Sequence, residues 1–126
     1  MEKEKESFVY MVKCEDSSLY TGITKDIRQR MKAHFYKTEK GAKYTKSRKI
    51  CRIMMVWEAE SYASAARLEY AIKRLPRMKK LQLIEQPEEK VKELFPKLAE
   101  EKYVPRMEFL TDIGELLGED SDATQK

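Results

Sequence analysis

Two side chains on one predicted helix have the chemistry to bind a phosphate group and to handle a proton. Arg30 and His34 are four residues apart, so both project from the same side of that helix. The Arg guanidinium offers a fixed fork of donors that matches two phosphate oxygens, and the imidazole could hold a nucleophilic water or the leaving oxygen. The alternative interpretation is the solvated edge of an ordinary amphipathic helix, and these two residues alone do not decide between the two.

A carboxylate on a second predicted helix could bind a metal ion. Glu69 lies beside an apolar stripe that includes Leu68 and Ile72. One carboxylate oxygen can hold a single hard cation such as Mg²⁺, with waters completing the octahedron. An ion pair with Lys73, four residues further along the helix, is the alternative.

Two tyrosines, Tyr10 and Tyr20, lie in segments that are predicted to be the first two strands. Tyrosines in strands are most often half-buried packing residues whose hydroxyl group remains in water. By residue type alone they predict no more than packing.

Basic and aromatic residues alternate in the segment from Lys37 to Arg52. Cationic side chains for phosphates and aromatic faces for unpaired bases are typical of a nucleic-acid-binding surface. A solvated loop is the alternative. The candidate nucleic-acid-binding residues are Lys37, Lys40, Lys43, Tyr44, Lys46, Arg48 and Lys49. Arg74, Arg77, Lys79 and Lys80 could extend this surface.

Three segments have the β-branched and aromatic composition that predicts strands. They are Phe8–Cys14, Leu19–Thr24 and about Ile50–Glu58. Turn-forming residues between the first two predict a hairpin. Gly22, inside the second strand, predicts either a bulge or a close approach of the backbone to another group.

Apolar residues at helical spacing predict three helices around these strands. The first begins at a cap, Thr24 or Asp26, and runs to about Thr38 with a core stripe of Ile27, Met31 and Phe35. The second opens at Ser61 or Ser64, and a third covers Arg77–Glu85 after Pro76. The order ββαβαα predicts an α+β fold in which helices pack against a small sheet.

The composition excludes several classes of protein. The chain has 126 residues, of which 38% are charged and 41% hydrophobic, enough for one domain with a heavily charged surface. We expect neither a membrane span nor a signal peptide, because no apolar run is long enough and the first residues alternate Glu and Lys. Cys14 and Cys51 lack metal-type spacing, which favours a reducing cytoplasm over a disulfide scaffold or structural zinc.

The net charge divides the chain into a basic and an acidic part. Residues 1–86 carry 20 Lys and Arg against 11 Asp and Glu, a net charge of +9, whereas residues 87–126 carry −5. A basic unit of this kind indicates a polyanionic partner, although charge that only keeps the protein soluble is an equal alternative. The acidic part could also contact a protein partner.

Pro87 marks the predicted boundary between a domain at 1–86 and an acidic, mostly helical extension at 87–126. Two apolar groups at helical spacing occur in the extension, Val91, Leu94, Phe95 and Leu98, and then Met107, Leu110, Ile113 and Leu117. Residues 119–126 lack such a group, and we expect them to be disordered.

Several ordered motifs together resemble the GIY-YIG nuclease superfamily, and most closely its small stand-alone, single-domain branch. The motifs are Val9-Tyr10-Met11, Leu19 to Thr24, Asp26 with Arg30 and His34, Gly41 to Thr45, and the helix from Arg67 to Lys73. The resemblance covers roughly residues 7–85. It implies a three-stranded antiparallel sheet flanked by helices, and cleavage of phosphodiester bonds with one divalent metal.

The resemblance also implies a role for each candidate residue. Tyr10 would be the general base or the phenol that positions water, with Tyr20 beside it. Arg30 would bind the scissile phosphate, and His34 would assist the water or the proton transfer. Glu69 would hold Mg²⁺ or Mn²⁺, and a metal beside Tyr10 would lower the pKa of its phenol.

The chain departs from the superfamily pattern at a few positions. Val9 replaces the Gly of the first motif, Thr21 replaces the Ile of the second, and Phe35 follows His34 where stand-alone relatives often carry Asn. The chain contains no Asn at all. We expect a metal-dependent endonuclease acting on structured or branched DNA in repair or recombination, with a catalytically inactive nucleic-acid-binding module as the alternative.

Overall fold

The structure is a computed structural model that describes residues 7–37 and 50–116, without the side chains of 35–37. The first half of the chain forms a β-hairpin, a helix and a third strand. These elements are β1 (Ser7–Cys14), β2 (Leu19–Thr24), α1 (Ile27–Lys37) and β3 (Ile50–Ala59). Asp26 begins α1, because its Oδ1 accepts a hydrogen bond from the Gln29 amide at 3.1 Å.

The second half begins with three helices and ends along the sheet. The helices are α2 (Tyr62–Lys73), α3 (Arg77–Glu85) and α4 (Glu89–Leu94), followed by a 3₁₀ turn at Pro96–Leu98. Strand β4 (Tyr103–Pro105) and a second 3₁₀ turn, Met107–Phe109, come next. Ser61 caps α2 by accepting a hydrogen bond from the Ser64 amide, and Pro76 precedes α3 as predicted.

The sheet has four antiparallel strands in the order β2-β1-β3-β4. The α+β class and the order ββαβαα are confirmed, but the prediction of three strands is wrong. The additional strand, β4, pairs with the end of β3 through Trp57 with Pro105 and Ala59 with Tyr103. A strand of three residues that includes Pro has no alternating pattern by which the sequence could reveal it.

Helices cover both faces of the sheet, so each β1 residue faces one of two cores. Val9 and Met11 face the core under α2, α3 and α4, while Tyr10 and Val12 face the core under α1. The first core contains the fully buried Trp57 and Leu68 among others. The site described below therefore lies on the α1 side of β1.

The C-terminal extension packs against both cores. Val91, Phe95 and Leu98 join the α2 side, and Ile113 joins the α1 side. The indole Nε1 of Trp57 donates a hydrogen bond of 3.0 Å to the Pro87 carbonyl. The extension is thus part of the folded unit, and none of the helices within the two described ranges is long and apolar enough to cross a membrane.

One predicted helical segment of the extension is not a continuous α-helix, because it forms a 3₁₀ turn at Met107–Phe109 and then runs along the sheet. Residues 106–112 follow the edge of β3, where the Arg106 amide donates to the Val56 carbonyl and the Ile53 amide to the Thr111 carbonyl. These bonds replace the i to i−4 bonds that the spacing of Met107 and Leu110 predicted. Helical structure resumes only at residues 113–116.

Candidate active site

The centre of the candidate site is Tyr10, which lies in the middle of β1 and has no solvent-exposed surface. It pairs across the hairpin with Gly22, in a register that runs without a shift from Phe8 with Thr24 to Lys13 with Leu19. A Cβ atom on Gly22 would lie 2.4 Å from the Tyr10 hydroxyl oxygen. Of the two possibilities that the sequence left open, Gly22 therefore marks a close approach rather than a bulge.

Helix α1 brings His34 and Arg30 to the hydroxyl group of Tyr10. The phenol oxygen lies 2.9 Å from His34 Nε2, and Arg30 Nε donates a hydrogen bond of 3.3 Å to the same oxygen. When the imidazole is neutral and carries its proton on Nδ1, Nε2 is the acceptor for the phenol proton. A chain of hydrogen bonds therefore runs from the Arg30 guanidinium through the Tyr10 hydroxyl group to the His34 imidazole, which can accept the phenol proton.

Tyr20 completes an aromatic group around this path. Its ring centroid lies 6.3 Å from that of Tyr10 and 5.6 Å from that of His34, in an edge-to-face arrangement. Tyr20 belongs to β2, which is an edge strand of the sheet, and is only partly buried. The site therefore opens to solvent at the β2 edge.

Helix α2 supplies Glu69 and Lys73 from the other side of that edge. Lys73 Nζ lies 3.1 Å from Glu69 Oε2 and 5.8 Å from the centroid of the Tyr20 ring. The ion pair that was one of the two sequence interpretations is thus present. The carboxylate nevertheless lies beside the other site residues, since Lys73 contacts both Glu69 and the Tyr20 ring.

Burial, more than any other factor, raises the pKa of Tyr10 to about 12. The hydrogen bond and the charge of Arg30 oppose this shift, whereas Tyr20 and Glu69 add to it. The pKa of Arg30 is also raised, first because of its hydrogen bond to Tyr10. At neutral pH the phenol is therefore protonated and the guanidinium charged.

The donor set around Tyr10 fits a hydrated divalent cation held by one carboxylate. No group of three or more His, Cys, Asp or Glu side chains that could hold a metal ion occurs among the residues that the structure describes. A closed site of the zinc type needs such a group, but Mg²⁺ keeps several waters and is commonly bound by one or two carboxylates together with substrate phosphates. Glu69, which is 23% exposed, fits that second mode.

The structure brings together all five predicted residues of the catalytic and metal site. Tyr10, Tyr20, Arg30, His34 and Glu69 come from four different elements and meet at the β2 edge. The contact between Lys73 and Tyr20 was not predicted, because the sequence pairs Lys73 only with its helical neighbour. The spacing of Glu69 and Lys73 gives contacts only within α2, so it could not have indicated that Lys73 contacts the Tyr20 ring on β2.

The predicted nucleic-acid-binding residues lie almost wholly outside the described part of the chain. Lys40, Lys43, Tyr44, Lys46, Arg48 and Lys49 are outside it, and so is the side chain of Lys37. Arg52, at the end of the same basic segment, is described and forms a 2.7 Å ion pair with Asp112. The acidic extension thus neutralises one cation of that segment.

The sequence of this chain is similar to that of known proteins. Residues 6–82 match the family model described as the GIY-YIG catalytic domain. The chain is 40% identical over 87 residues to the UPF0213 protein FN1575 of Fusobacterium nucleatum, covering 69% of this chain and 85% of that protein. It is 42% identical over 82 residues to the UPF0213 protein OB0043 of Oceanobacillus iheyensis, covering 65% and 93%.

A solved structure with a similar sequence is also known. It is the solution NMR structure of the UPF0213 protein BH0048 from Bacillus halodurans, which is 38% identical to this chain. The similarity covers 64% of this chain and 84% of that one, with a TM-score of 0.41.

Proposed function

Because this chain belongs to the GIY-YIG family, we propose that it is a metal-dependent endonuclease that hydrolyses phosphodiester bonds in DNA. One observation carries the proposal: the buried hydroxyl group of Tyr10 contacts both the His34 imidazole and the Arg30 guanidinium. A buried tyrosine needs one hydrogen-bond partner for its hydroxyl group, so the second partner, a charged guanidinium, supports a role beyond packing.

Arg30 binds the scissile phosphate in this proposal. Its Nε is used by Tyr10, and the guanidinium has four further N–H donors on its two terminal nitrogens. These donors can contact phosphate oxygens and offset the charge that develops on them during hydrolysis. Holding Arg30 through Nε fixes the direction in which the remaining donors point.

Tyr10 and His34 move the proton of the attacking water. This step requires the partly exposed Tyr20 to move enough for a water to reach the buried Tyr10 oxygen. The water then gives a proton to that oxygen while the phenol proton passes to His34 Nε2, 2.9 Å away. The resulting hydroxide bonds to phosphorus, the bond from phosphorus to the leaving oxygen breaks, and the leaving oxygen takes a proton from solvent. This relay needs no free phenolate, which suits a Tyr10 whose pKa is about 12.

Glu69 is the residue that would hold Mg²⁺ or Mn²⁺ in this site. A bound divalent cation would supply Lewis-acid stabilisation of the charged phosphate oxygens. Lys73, which now pairs with Glu69, would then have the substrate phosphate as its alternative partner. The Tyr20 ring contacts both Lys73 and His34 on this side of the site.

The proposed substrate is structured or branched DNA, in repair or recombination in the cytoplasm. The net charge of +9 on residues 1–86 supports a polyanion. The position of the site at an open sheet edge supports a substrate that can reach it without entering a deep pocket. The division into a nuclease domain at 1–86 and an extension at 87–126 is part of the same proposal.

A cleavage assay with two variants tests the function. The protein is incubated with Mg²⁺ or Mn²⁺ and single-stranded, duplex, flap and junction DNAs. Glu69→Ala is expected to reduce cleavage by at least ~10²-fold while DNA binding stays equal or becomes slightly tighter, because one negative charge is removed. Arg30→Ala is expected to reduce both cleavage and binding.

Glu85→Ala is the matched control, since it removes an exposed carboxylate from α3. It is expected to cleave as the parent does. Absence of cleavage by the parent on every DNA would contradict the proposal, and so would full activity of Glu69→Ala.

The second candidate function is a nucleic-acid-binding module that has lost the chemistry. The ion pair between Glu69 and Lys73 favours it, because a carboxylate neutralised by Lys binds a metal less well. DNA binding without any metal-stimulated cleavage, and no effect of Glu69→Ala, would support this alternative.

A further inference from the structure

An open groove lies between α2 and the first 3₁₀ turn of the extension, outside the site described above. Its volume is about 680 Å³. Tyr70 and Ala71 line it from α2, and Leu94, Phe95 and Pro96 line it from the extension. The lining is therefore mostly apolar, with one aromatic ring at its side.

The aromatic ring of the groove is exposed but held in place. Tyr70 is 65% exposed, and Arg74 Nη1 donates a hydrogen bond of 3.2 Å to its hydroxyl group. The guanidinium carbon of Arg74 also lies 5.3 Å from the ring centroid. A large exposed ring offers a face on which another flat ring can stack.

Two cations flank the apolar lining. Lys97 lines the groove itself, and Arg74 lies against the Tyr70 ring. The acidic residue at the groove, Glu101, is neutralised by Arg67 at 2.9 Å. An apolar slot with cations at its rim matches a nucleotide, whose base is flat and whose phosphate is negative.

The groove and the proposed active site share helix α2. Glu69 and Tyr70 are consecutive, and consecutive residues of an α-helix point about 100° apart. Tyr70 and Arg74 therefore lie on the exposed side of α2, between the flank that carries Glu69 and Lys73 and the flank that lines the groove. A DNA strand with a phosphate at Arg30 would reach the groove by crossing this exposed side.

We propose that the groove receives an unpaired nucleobase of the DNA strand that is bound at the active site, stacked on Tyr70 with its phosphate near Arg74 and Lys97. The proposal rests on the proposed nuclease function and narrows its substrate to strands with an unpaired nucleotide near the scissile phosphate. A base that remains paired cannot enter a slot on one side of a helix. A flap, a single strand or a junction with unpaired nucleotides can supply the required base, whereas a continuous duplex cannot.

The extension contributes six of the ten residues that line this groove. Residues 94–98 lie beyond residues 6–82, which match the family model. The groove is therefore complete only when the extension is present, and it gives residues 94–101 a role in substrate selection.

The test measures stacking directly, in the Glu69→Ala background and without metal, so that no cleavage can occur. Oligonucleotides carry the fluorescent base analogue 2-aminopurine at successive positions of a single strand, and also in the matched duplex. When the Glu69→Ala protein retains Tyr70, we expect the fluorescence of 2-aminopurine to be quenched at one or two positions of the single strand. Tyr70→Leu is expected to abolish this quenching and to weaken single-strand binding by about 5- to 100-fold.

Tyr62→Leu is the matched control, because Tyr62 is 56% exposed on the same helix but does not line the groove. It is expected to leave quenching and affinity unchanged. Lys97→Ala is a second test from the other wall, with an expected loss of affinity for the single strand that is larger at low salt. Thermal melting of each variant shows whether it is folded.

Three results would overturn the inference: unchanged single-strand affinity in Tyr70→Leu, equal losses in Tyr70→Leu and Tyr62→Leu, or equal losses for single strand and duplex. If Tyr70→Leu binds DNA as the parent does, a protein partner becomes the better candidate to occupy the groove. Failure here is separable from failure of the proposed function, since the parent would still cleave DNA in an Arg30- and Glu69-dependent manner.

Discussion

Gly22 has no side chain where the ring of Tyr10 passes over it. A Cβ atom built on Gly22 would lie 2.4 Å from the Tyr10 hydroxyl oxygen and 2.6 Å from Cζ, both far inside contact distance. The two residues face each other across the β1–β2 ladder. The glycine of one motif thus provides the space for the tyrosine of the other.

Gly22→Ala is therefore expected to displace Tyr10 from His34 and Arg30. Because Tyr10 is fully buried, its ring cannot move into solvent, and we expect overpacking to cost about 1–3 kcal/mol of unfolding free energy. Cleavage should fall by more than tenfold. Gly114→Ala is the control, since nothing lies within 4 Å of a Cβ there. It should leave cleavage unchanged and should not destabilise the protein, because Ala is favoured over Gly in the helical turn at 113–116. A Gly22→Ala protein with the parent's stability and activity would contradict the packing argument.

The raised pKa of Tyr10 predicts a specific loss of stability at high pH. Burial raises this pKa to about 12 in the folded protein, while an unfolded chain has a Tyr pKa of about 10. Between these values the unfolded state releases the proton and the folded state keeps it, so stability falls as pH rises. The contribution of Tyr10 to the free energy of unfolding is fully present below pH ~10. It is lost as the pH rises towards 12, and its full size is about 2–3 kcal/mol.

Tyr10→Phe isolates this effect, because it keeps the ring and removes the titrating group. Urea denaturation of both proteins from pH 8 to pH 11 should show the parent losing stability faster than the variant above pH ~10. Parallel curves would show that Tyr10 titrates as an ordinary exposed phenol. The same variant should lose about 10²- to 10⁴-fold in cleavage, the usual contribution of a proton-transfer group.

The ion pair with Lys73 predicts that this residue weakens metal binding at Glu69. Lys73→Met removes a cation 3.1 Å from the carboxylate, and we expect the affinity for Mn²⁺ to rise about three- to tenfold in calorimetric titrations. Lys79→Met, which removes an exposed cation from α3, should leave the affinity unchanged. Equal affinity in the parent and Lys73→Met would mean that the metal does not use Glu69.

The packing of the extension predicts that residues 1–86 do not reach full stability alone. Removing residues 87–126 exposes the core around Val91, Phe95 and Leu98, and each such side chain contributes about 1.5–3 kcal/mol when fully buried. We expect a large decrease in melting temperature or aggregation. Deleting residues 119–126 alone should change little, because that segment has no apolar face. A fragment of residues 1–86 that melts like the full chain would contradict this prediction.

Much of the fold was predictable because its signals are local. The strand Leu19–Thr24 and the helix Arg77–Glu85 have the predicted bounds, and caps at Asp26 and Ser61 were among those considered. These features depend on propensity, spacing and capping within a few residues. The fourth strand was not predictable, because Tyr103–Pro105 becomes a strand only by pairing with β3, more than 40 residues earlier.

The sequence predicted which residues could form the candidate site, but it did not predict the contacts among them. Spacing placed Arg30 and His34 on one side of α1 and made Lys73 a partner for Glu69. Only the tertiary structure decided that Tyr10 is buried with a raised pKa, that its hydroxyl group contacts His34, and that Lys73 reaches Tyr20. Sequence determines local conformation through neighbouring residues, whereas burial and contact depend on how distant elements pack against one another.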